Sequence, residues 1–206
     1  MARKTDTRKT RETFIIITNG KKSEQNYFNL LKSYKSIYEV KVVFKNAAPT
    51  GLVHEAKQYT MDANQVWCVF DIDNTYSENQ LIPAIKEAKK NGIKIAYSNA
   101  AFEVWLISHF QKCNKYLNTT QLIDILNDYL KSQGCKFTYD KSDDDTLKNY
   151  FVPNYNIAIN NAKIVYQKRV KEFREQFNEA KDLPIWEWNS STTIYLLVEA
   201  MKLSSH

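Results

Sequence analysis

The sequence predicts an α/β fold, in which helices flank a mainly parallel sheet and a mostly helical C-terminal region follows. Two observations lead to this prediction. Short apolar runs alternate with amphipathic stretches as far as about residue 110, an order typical of a parallel sheet covered by helices on both faces. From about residue 119 onward, the apolar residues recur at helical spacing instead.

The predicted core strands are short and apolar. Residues 14–18, 66–70 and 93–97 are nearly continuous apolar runs, as expected for strands that are buried on both faces. Residues 40–44 predict a further strand, because apolar Val40 and Val42 are separated by Lys41.

Helices are predicted between these strands, at residues 24–35, from 50 to about 61, at 78–91 and at 102–110. Ser23 and Thr50 are the predicted N-caps, since a side-chain oxygen can accept a hydrogen bond from the first turn. Gly92 is the predicted stop signal of the third helix.

The C-terminal region is predicted to hold four helical segments. The first begins near residue 119 and ends at Gly134, and residues 142–150 form a short acidic helix. Residues 154–179 predict a long amphipathic helix, and residues 190–193 a cap region before a last helix at 194–201.

The predicted organisation is one compact unit in three parts. These are a basic arm at residues 1–13, an α/β core at 14–115 and a helical part at 116–206 that packs on the core. Four prolines and four glycines leave little room for a long linker.

Composition limits the protein class. A chain of 206 residues with 43% hydrophobic residues can bury one sizeable core. Its apolar runs are too short for a membrane span, and its start lacks the apolar core of a signal peptide, so we expect a cytoplasmic protein without a membrane partner. The three cysteines show no metal-ligand spacing and are expected to be free thiols.

The N-terminal arm is strongly basic and is a candidate nucleic-acid-binding segment. Residues 1–11 contain five cations and the single acid Asp6; the cations are Arg3, Lys4, Arg8, Lys9 and Arg11. Such an arm can bind phosphates, but it can equally be a solvated tail that only aids solubility.

Acidic residues follow two of the predicted strands. Asp71 and Asp73 come directly after one strand, and Glu103 follows the next. Ligands bind outside the carboxyl ends of parallel strands, where converging carboxylates suit Mg²⁺ or Mn²⁺. Alternatively, the two aspartates only cap the turn that follows.

Other polar residues near these strands admit simpler interpretations. Asn19 and Gly20 could form a plain tight turn. Residues 20–23 lack the upstream glycine of a phosphate loop, so nucleotide hydrolysis is not expected. His109 stands among large apolar residues and is expected to lie in the core or to support the site through another residue.

Five segments together resemble the RloB-like family, prokaryotic proteins of defence-associated loci with a Toprim-like core. They are the basic start at residues 1–4, residues 19–28, residues 71–73, residues 98–110 and residues 189–193. The most specific is 98–110, with the sequence SNAAFEVWLISHF.

The resemblance implies a Toprim-type nuclease in which Asp71, Asp73 and Glu103 gather Mg²⁺. Such sites carry another glutamate at the end of the first strand, and here that position is Asn19. Asparagine cannot take up a proton near neutral pH. Glu24 is the residue expected to compensate, and Lys21 and Lys22 are expected to hold the scissile phosphate. The family also usually has a proline where this chain has Ala100.

Two functional hypotheses follow. In the first, the chain is a Mg²⁺-dependent nuclease of an anti-phage, abortive-infection system that cuts DNA or RNA, with tRNA among the candidate substrates. The resemblance then implies an ATPase partner from the same locus. In the second, Asn19 marks a degenerate site, and the chain binds nucleic acid or a partner protein. The sequence does not indicate an oligomeric state.

Overall fold

A computed structural model shows an α/β fold in which helices cover both faces of one mainly parallel sheet. It describes residues 12–34, 36–72, 76, 78–177 and 188–203. The predicted fold class is confirmed.

The strands of the described residues are β1 Glu12–Thr18, β2 Tyr38–Phe44, β3 Gln65–Asp71, β4 Lys94–Asn99 and β5 Ser191–Thr192. They lie in the order β2-β1-β3-β4-β5. The first four strands are parallel, and β5 pairs with β4 in the antiparallel sense. The chain passes from β1 to β2 on one side and then to β3 on the other. The carboxyl ends of β1 and β3 therefore flank a topological switch point, the usual ligand position in such sheets.

Helices fill the connections and the C-terminal region. They are α1 Ser23–Leu31, α2 Pro49–Lys57, α3 Glu78–Lys90, α4 Glu103–Ser108, α5 Thr119–Ser132, α6 Asp144–Thr146, α7 Tyr155–Phe177 and α8 Ile194–Ala200. A π-helical turn, Leu147–Phe151, and a 3₁₀ turn, Val152–Asn154, join α6 to α7.

Alternate residues of each central strand enter two separate cores. Ile16 and Val69 pack on one face with α1, α4 and the C-terminal helices. Ile17 and Cys68 pack on the other face with α2 and α3. Burial on both faces explains why these strands are continuous apolar runs.

The structure corrects three local predictions. Ser23 is the first residue of α1 and makes no cap hydrogen bond, because Lys22 takes the N-cap position. Ala48 takes the corresponding place before α2, where Thr50 was expected. Ser191 and Thr192 form an edge strand, although their sequence predicts only a cap region.

All three cysteines are free, as expected. Among the described helices, none is both long and apolar enough to cross a membrane.

Candidate active site

The candidate site lies at the carboxyl edge of the sheet, next to the switch point between β1 and β3. Asp71 is the last residue of β3, and it pairs with Ser98 on the neighbouring strand β4. Glu103 begins α4 immediately after the turn that leaves β4. Chain direction alone thus brings these two acids to one edge.

Glu103 is completely buried and carries the strongest contacts of the site. Its Oε1 atom accepts a hydrogen bond from the Tyr139 hydroxyl at 3.1 Å and from the Lys141 Nζ at 2.8 Å. Its Oε2 atom is also buried, yet it accepts no hydrogen bond from the described residues. A buried carboxylate oxygen without a partner is costly, so this atom is available to a ligand.

Glu24 reaches the site from the first turn of α1, and Gly20 makes room for it. A Cβ atom built on Gly20 would lie 1.7 Å from the Glu24 Oε2. The Glu24 carboxylate therefore rests against the backbone at the end of β1, beside Asn19. This is where the resemblance expects a glutamate. Burial first, and then the negative charge of Glu103, raise the pKa of Glu24.

Asp71 shares the same electrostatic environment. Its carboxylate accepts a hydrogen bond from the backbone N–H of Phe102, which lowers its pKa. Burial, together with the charges of Glu24 and Glu103, nevertheless raises the pKa of Asp71 well above its usual value. The three carboxyl groups consequently repel one another across a single small region.

Lys141 supplies the cation that opposes this repulsion. Burial lowers the pKa of Lys141, but attraction to Glu103, Asp71 and Glu24 outweighs burial and leaves the pKa raised. Tyr139, two residues earlier, accepts a hydrogen bond from the Ser23 hydroxyl at 3.4 Å while donating to Glu103. The segment between α5 and α6 thus contributes both Tyr139 and Lys141, and no local sequence pattern marked either residue.

Asn19, Lys21 and Lys22 lie at the end of β1 in less buried positions. The Asn19 side-chain amide donates to the Tyr76 hydroxyl at 3.5 Å. Lys21 is exposed, with its Nζ 6.0 Å from the centre of the Phe44 ring. Lys22 is also exposed, so both ammonium groups are accessible to a ligand.

His109 is a buried, neutral part of the core behind the site. Its Nδ1 lies 3.0 Å from the Trp105 carbonyl and 3.1 Å from that of Leu106, and must therefore donate to them. Its Nε2 then accepts from the Tyr27 hydroxyl at 2.9 Å. Burial lowers the pKa of His109 to about 4. Since Tyr27 lies on α1, His109 supports the helix that carries Glu24.

Two predicted groups lie outside the described residues. One is Asp73, the second aspartate of the proposed metal set. The other is residues 1–11 of the basic arm, which hold all five of its cations, whereas residues 12 and 13 of the predicted arm begin β1. Both remain predictions from the sequence.

The site fits a hard divalent cation in its chemistry. Its donors are carboxylate oxygens, Glu103 Oε2 is buried without a partner, and Glu24 occupies a space that any side chain on residue 20 would fill. In the part of the chain that the structure describes, however, no three His, Cys, Asp or Glu side chains are arranged to hold a metal ion. Lys141 already binds one oxygen of Glu103.

Fold and site together define an α/β protein with acidic side chains gathered at the carboxyl edge of a parallel sheet. The model of the RloB-like protein family matches residues 14–201, which include every strand except the first two residues of β1. The chain therefore belongs to the RloB-like family. Comparison with curated proteins and with solved structures gives no match.

Proposed function

We propose that this chain is a Toprim-type, Mg²⁺-dependent nuclease that hydrolyses phosphodiester bonds in DNA or RNA. The observation that carries the proposal is the cluster of Glu24, Asp71 and Glu103. Burial and neighbouring negative charges disfavour the ionised forms of Glu24 and Asp71, and a hard cation among the three carboxylates would remove the repulsion between them. Family membership supports the same activity.

Each side chain has a distinct role in this proposal. Glu24, Asp71 and Glu103 would hold the ion after their side chains have moved from the positions seen in the structure, with Asp73 as a further ligand. When bound, Mg²⁺ (or Mn²⁺) would stabilise charge on the attacked phosphate and favour a nucleophilic water. Asn19 would orient water through hydrogen bonds of its amide, because an amide does not act as an acid or a base near neutral pH.

Substrate binding would use the exposed cations around the site. Lys21 and Lys22 would hold the scissile phosphate, and the basic arm would contact neighbouring phosphates. Following the family resemblance, the biological setting would be an anti-phage, abortive-infection system in which an ATPase partner from the same locus controls the nuclease.

A second candidate function is a degenerate site that only binds nucleic acid or a partner protein. Two observations favour it. Asn19 replaces an ionisable residue, and the ammonium group of Lys141 lies 2.8 Å from the Glu103 Oε1, where it neutralises part of the cluster without a metal.

A cleavage assay with matched variants tests the nuclease proposal. Purified protein is incubated with plasmid DNA or total tRNA in Mg²⁺ or Mn²⁺. Glu103→Gln should reduce cleavage about 100-fold or more, since it removes a charge from the reacting centre. Glu87→Gln is the control, because Glu87 also pairs with a lysine at 2.8 Å but on the exposed surface. Equal activity of wild type and Glu103→Gln would refute the proposal.

The variant Asn19→Glu separates the two candidates. An active wild-type protein supports the nuclease. If wild type is inactive and Asn19→Glu cuts in the presence of Mg²⁺, the natural chain is a degenerate subunit. Binding of nucleic acid without cleavage by either protein would also favour the second candidate.

A further inference from the structure

Lys141 and Glu103 form an ion pair whose two members differ in freedom to move. The Glu103 side chain is 0% exposed, whereas the Lys141 side chain is 47% exposed. Glu103 is held by Tyr139 at 3.1 Å and by its place at the start of α4, inside the core. Lys141 lies in the segment between α5 and α6 and reaches the carboxylate from the protein surface.

The charge of Lys141 serves the whole cluster. Its attraction extends from Glu103 to Asp71 and Glu24, so one ammonium group offsets repulsion among three carboxyl groups. Removing a partner from a buried charge leaves that charge uncompensated, which is strongly unfavourable.

The same position conflicts with metal binding. Glu103 Oε1 already accepts from both Tyr139 and Lys141, which leaves Oε2 as the free atom. A divalent ion near Oε2 would lie within a few ångströms of the ammonium group, and like charges at that distance repel strongly in a poorly solvated site. Since the Lys141 side chain is half-exposed, it can move into solvent, while Glu103 cannot.

We propose that Lys141 is the resident counter-cation of this site and gives up Glu103 when a divalent cation binds. The ammonium group and the ion compete for one buried carboxylate cluster, so Lys141 sets the metal affinity of the site. This inference rests on the proposed function, because it takes a divalent cation as the ligand of the cluster. Lys141 is a positioning residue in this scheme.

Calorimetric titration with Mn²⁺ in the absence of nucleic acid tests the proposal. Lys141→Met keeps most of the apolar stem but removes the charge, so its Mn²⁺ dissociation constant should be about tenfold lower than that of wild type or lower still. Lys141→Arg keeps the charge and should stay close to wild type. Lys57→Met is the matched control, since Lys57 pairs with Glu87 at the same 2.8 Å on the surface.

Thermal melts with and without Mn²⁺ provide a second measurement. Metal-free Lys141→Met should melt below wild type, because three carboxyl groups have lost their counter-charge. Saturating Mn²⁺ should raise its melting temperature by more than it raises that of wild type. A purely structural role of Lys141 would give the first effect without the second.

The outcomes separate this inference from the proposed function. Unchanged or weaker Mn²⁺ binding by Lys141→Met overturns the inference and leaves a metal-dependent nuclease intact. If Lys57→Met also binds Mn²⁺ about tenfold more tightly than wild type, the inference is overturned as well, because the gain in affinity is then not specific to Lys141. Absence of Mn²⁺ binding by both wild type and Lys141→Met overturns the inference together with the metal-dependent function.

Discussion

Replacing Gly20 by alanine should disable the candidate site without unfolding the protein. A Cβ atom on residue 20 would lie 1.7 Å from the Glu24 Oε2 and 1.9 Å from its Cδ. Two atoms cannot share this space, so one side chain has to move. The Glu24 carboxylate is the end of a flexible side chain, whereas the backbone of Gly20 is fixed by two hydrogen bonds, to the Thr18 hydroxyl and from the Gln25 N–H.

The expected displacement follows from these distances. Ordinary contact between nonbonded heavy atoms begins near 3.4 Å, so the Glu24 carboxylate would move by about 1.7 Å. A misplacement of about 1 Å at a reacting centre can cost about 100-fold in rate. Stability should hardly fall, because Gly20 has no positive φ and alanine at such a position adds about 0.4–1 kcal/mol through the unfolded state.

Cleavage, Mn²⁺ titration and thermal melting of Gly20→Ala check this prediction together. Cleavage should fall about 100-fold and Mn²⁺ affinity should drop, while the melting temperature stays within a few degrees of wild type. Gly51→Ala is the steric control: Gly51 lies on α2, and its Cβ would also be too close to a neighbour, the Ala47 Cβ at 2.8 Å, but would meet no acidic side chain. Full activity of Gly20→Ala would refute a role of Glu24 in cleavage. A large fall in melting temperature would refute the idea that the Glu24 side chain moves to make room for the new Cβ atom.

Three further predictions concern charge and pH. Asp71→Asn should raise the melting temperature of the metal-free protein, because burial and the neighbouring carboxylates oppose the ionised form; a lowered melting temperature would contradict this. Since burial lowers the pKa of His109 to about 4 from 6.5, the unfolded state gains a proton first on acidification. Neutral His109 therefore makes its full contribution to the free energy of unfolding above pH 6.5. Between pH 6.5 and pH 4 the free energy of unfolding should fall by about 3 kcal/mol. Urea unfolding at both pH values should give a smaller loss for His109→Gln, and equal losses would exclude His109 as the cause. Deleting residues 1–11 removes five cations and should weaken nucleic-acid binding and flatten its dependence on salt, measured by fluorescence anisotropy; an unaltered salt slope would argue against contact with phosphates.

The pattern of apolar and polar residues was enough to predict most of the helices and strands and the edge at which the acids gather. Burial on both faces leaves a direct mark, a continuous apolar run, so the strands ending at Thr18 and Asp71 were recognisable without any tertiary information. A strand–helix alternation then implies parallel pairing, and parallel strands bring their carboxyl ends together. Asp71 and Glu103 were therefore assigned to one edge correctly.

Tertiary structure alone decided which residues complete the site. Tyr139 meets Glu103 across 36 positions of the chain, and β5 meets β4 across more than 90. Hydrophobic periodicity predicts whether a residue is buried, but it does not predict which distant residue of the chain it will contact. The family resemblance pointed to Glu24, but its route to the end of β1 depends on the missing side chain of Gly20, which only the folded structure shows. Lys141 shows the same limit: an isolated lysine in an irregular segment becomes the counter-charge of three acids only once the chain has folded.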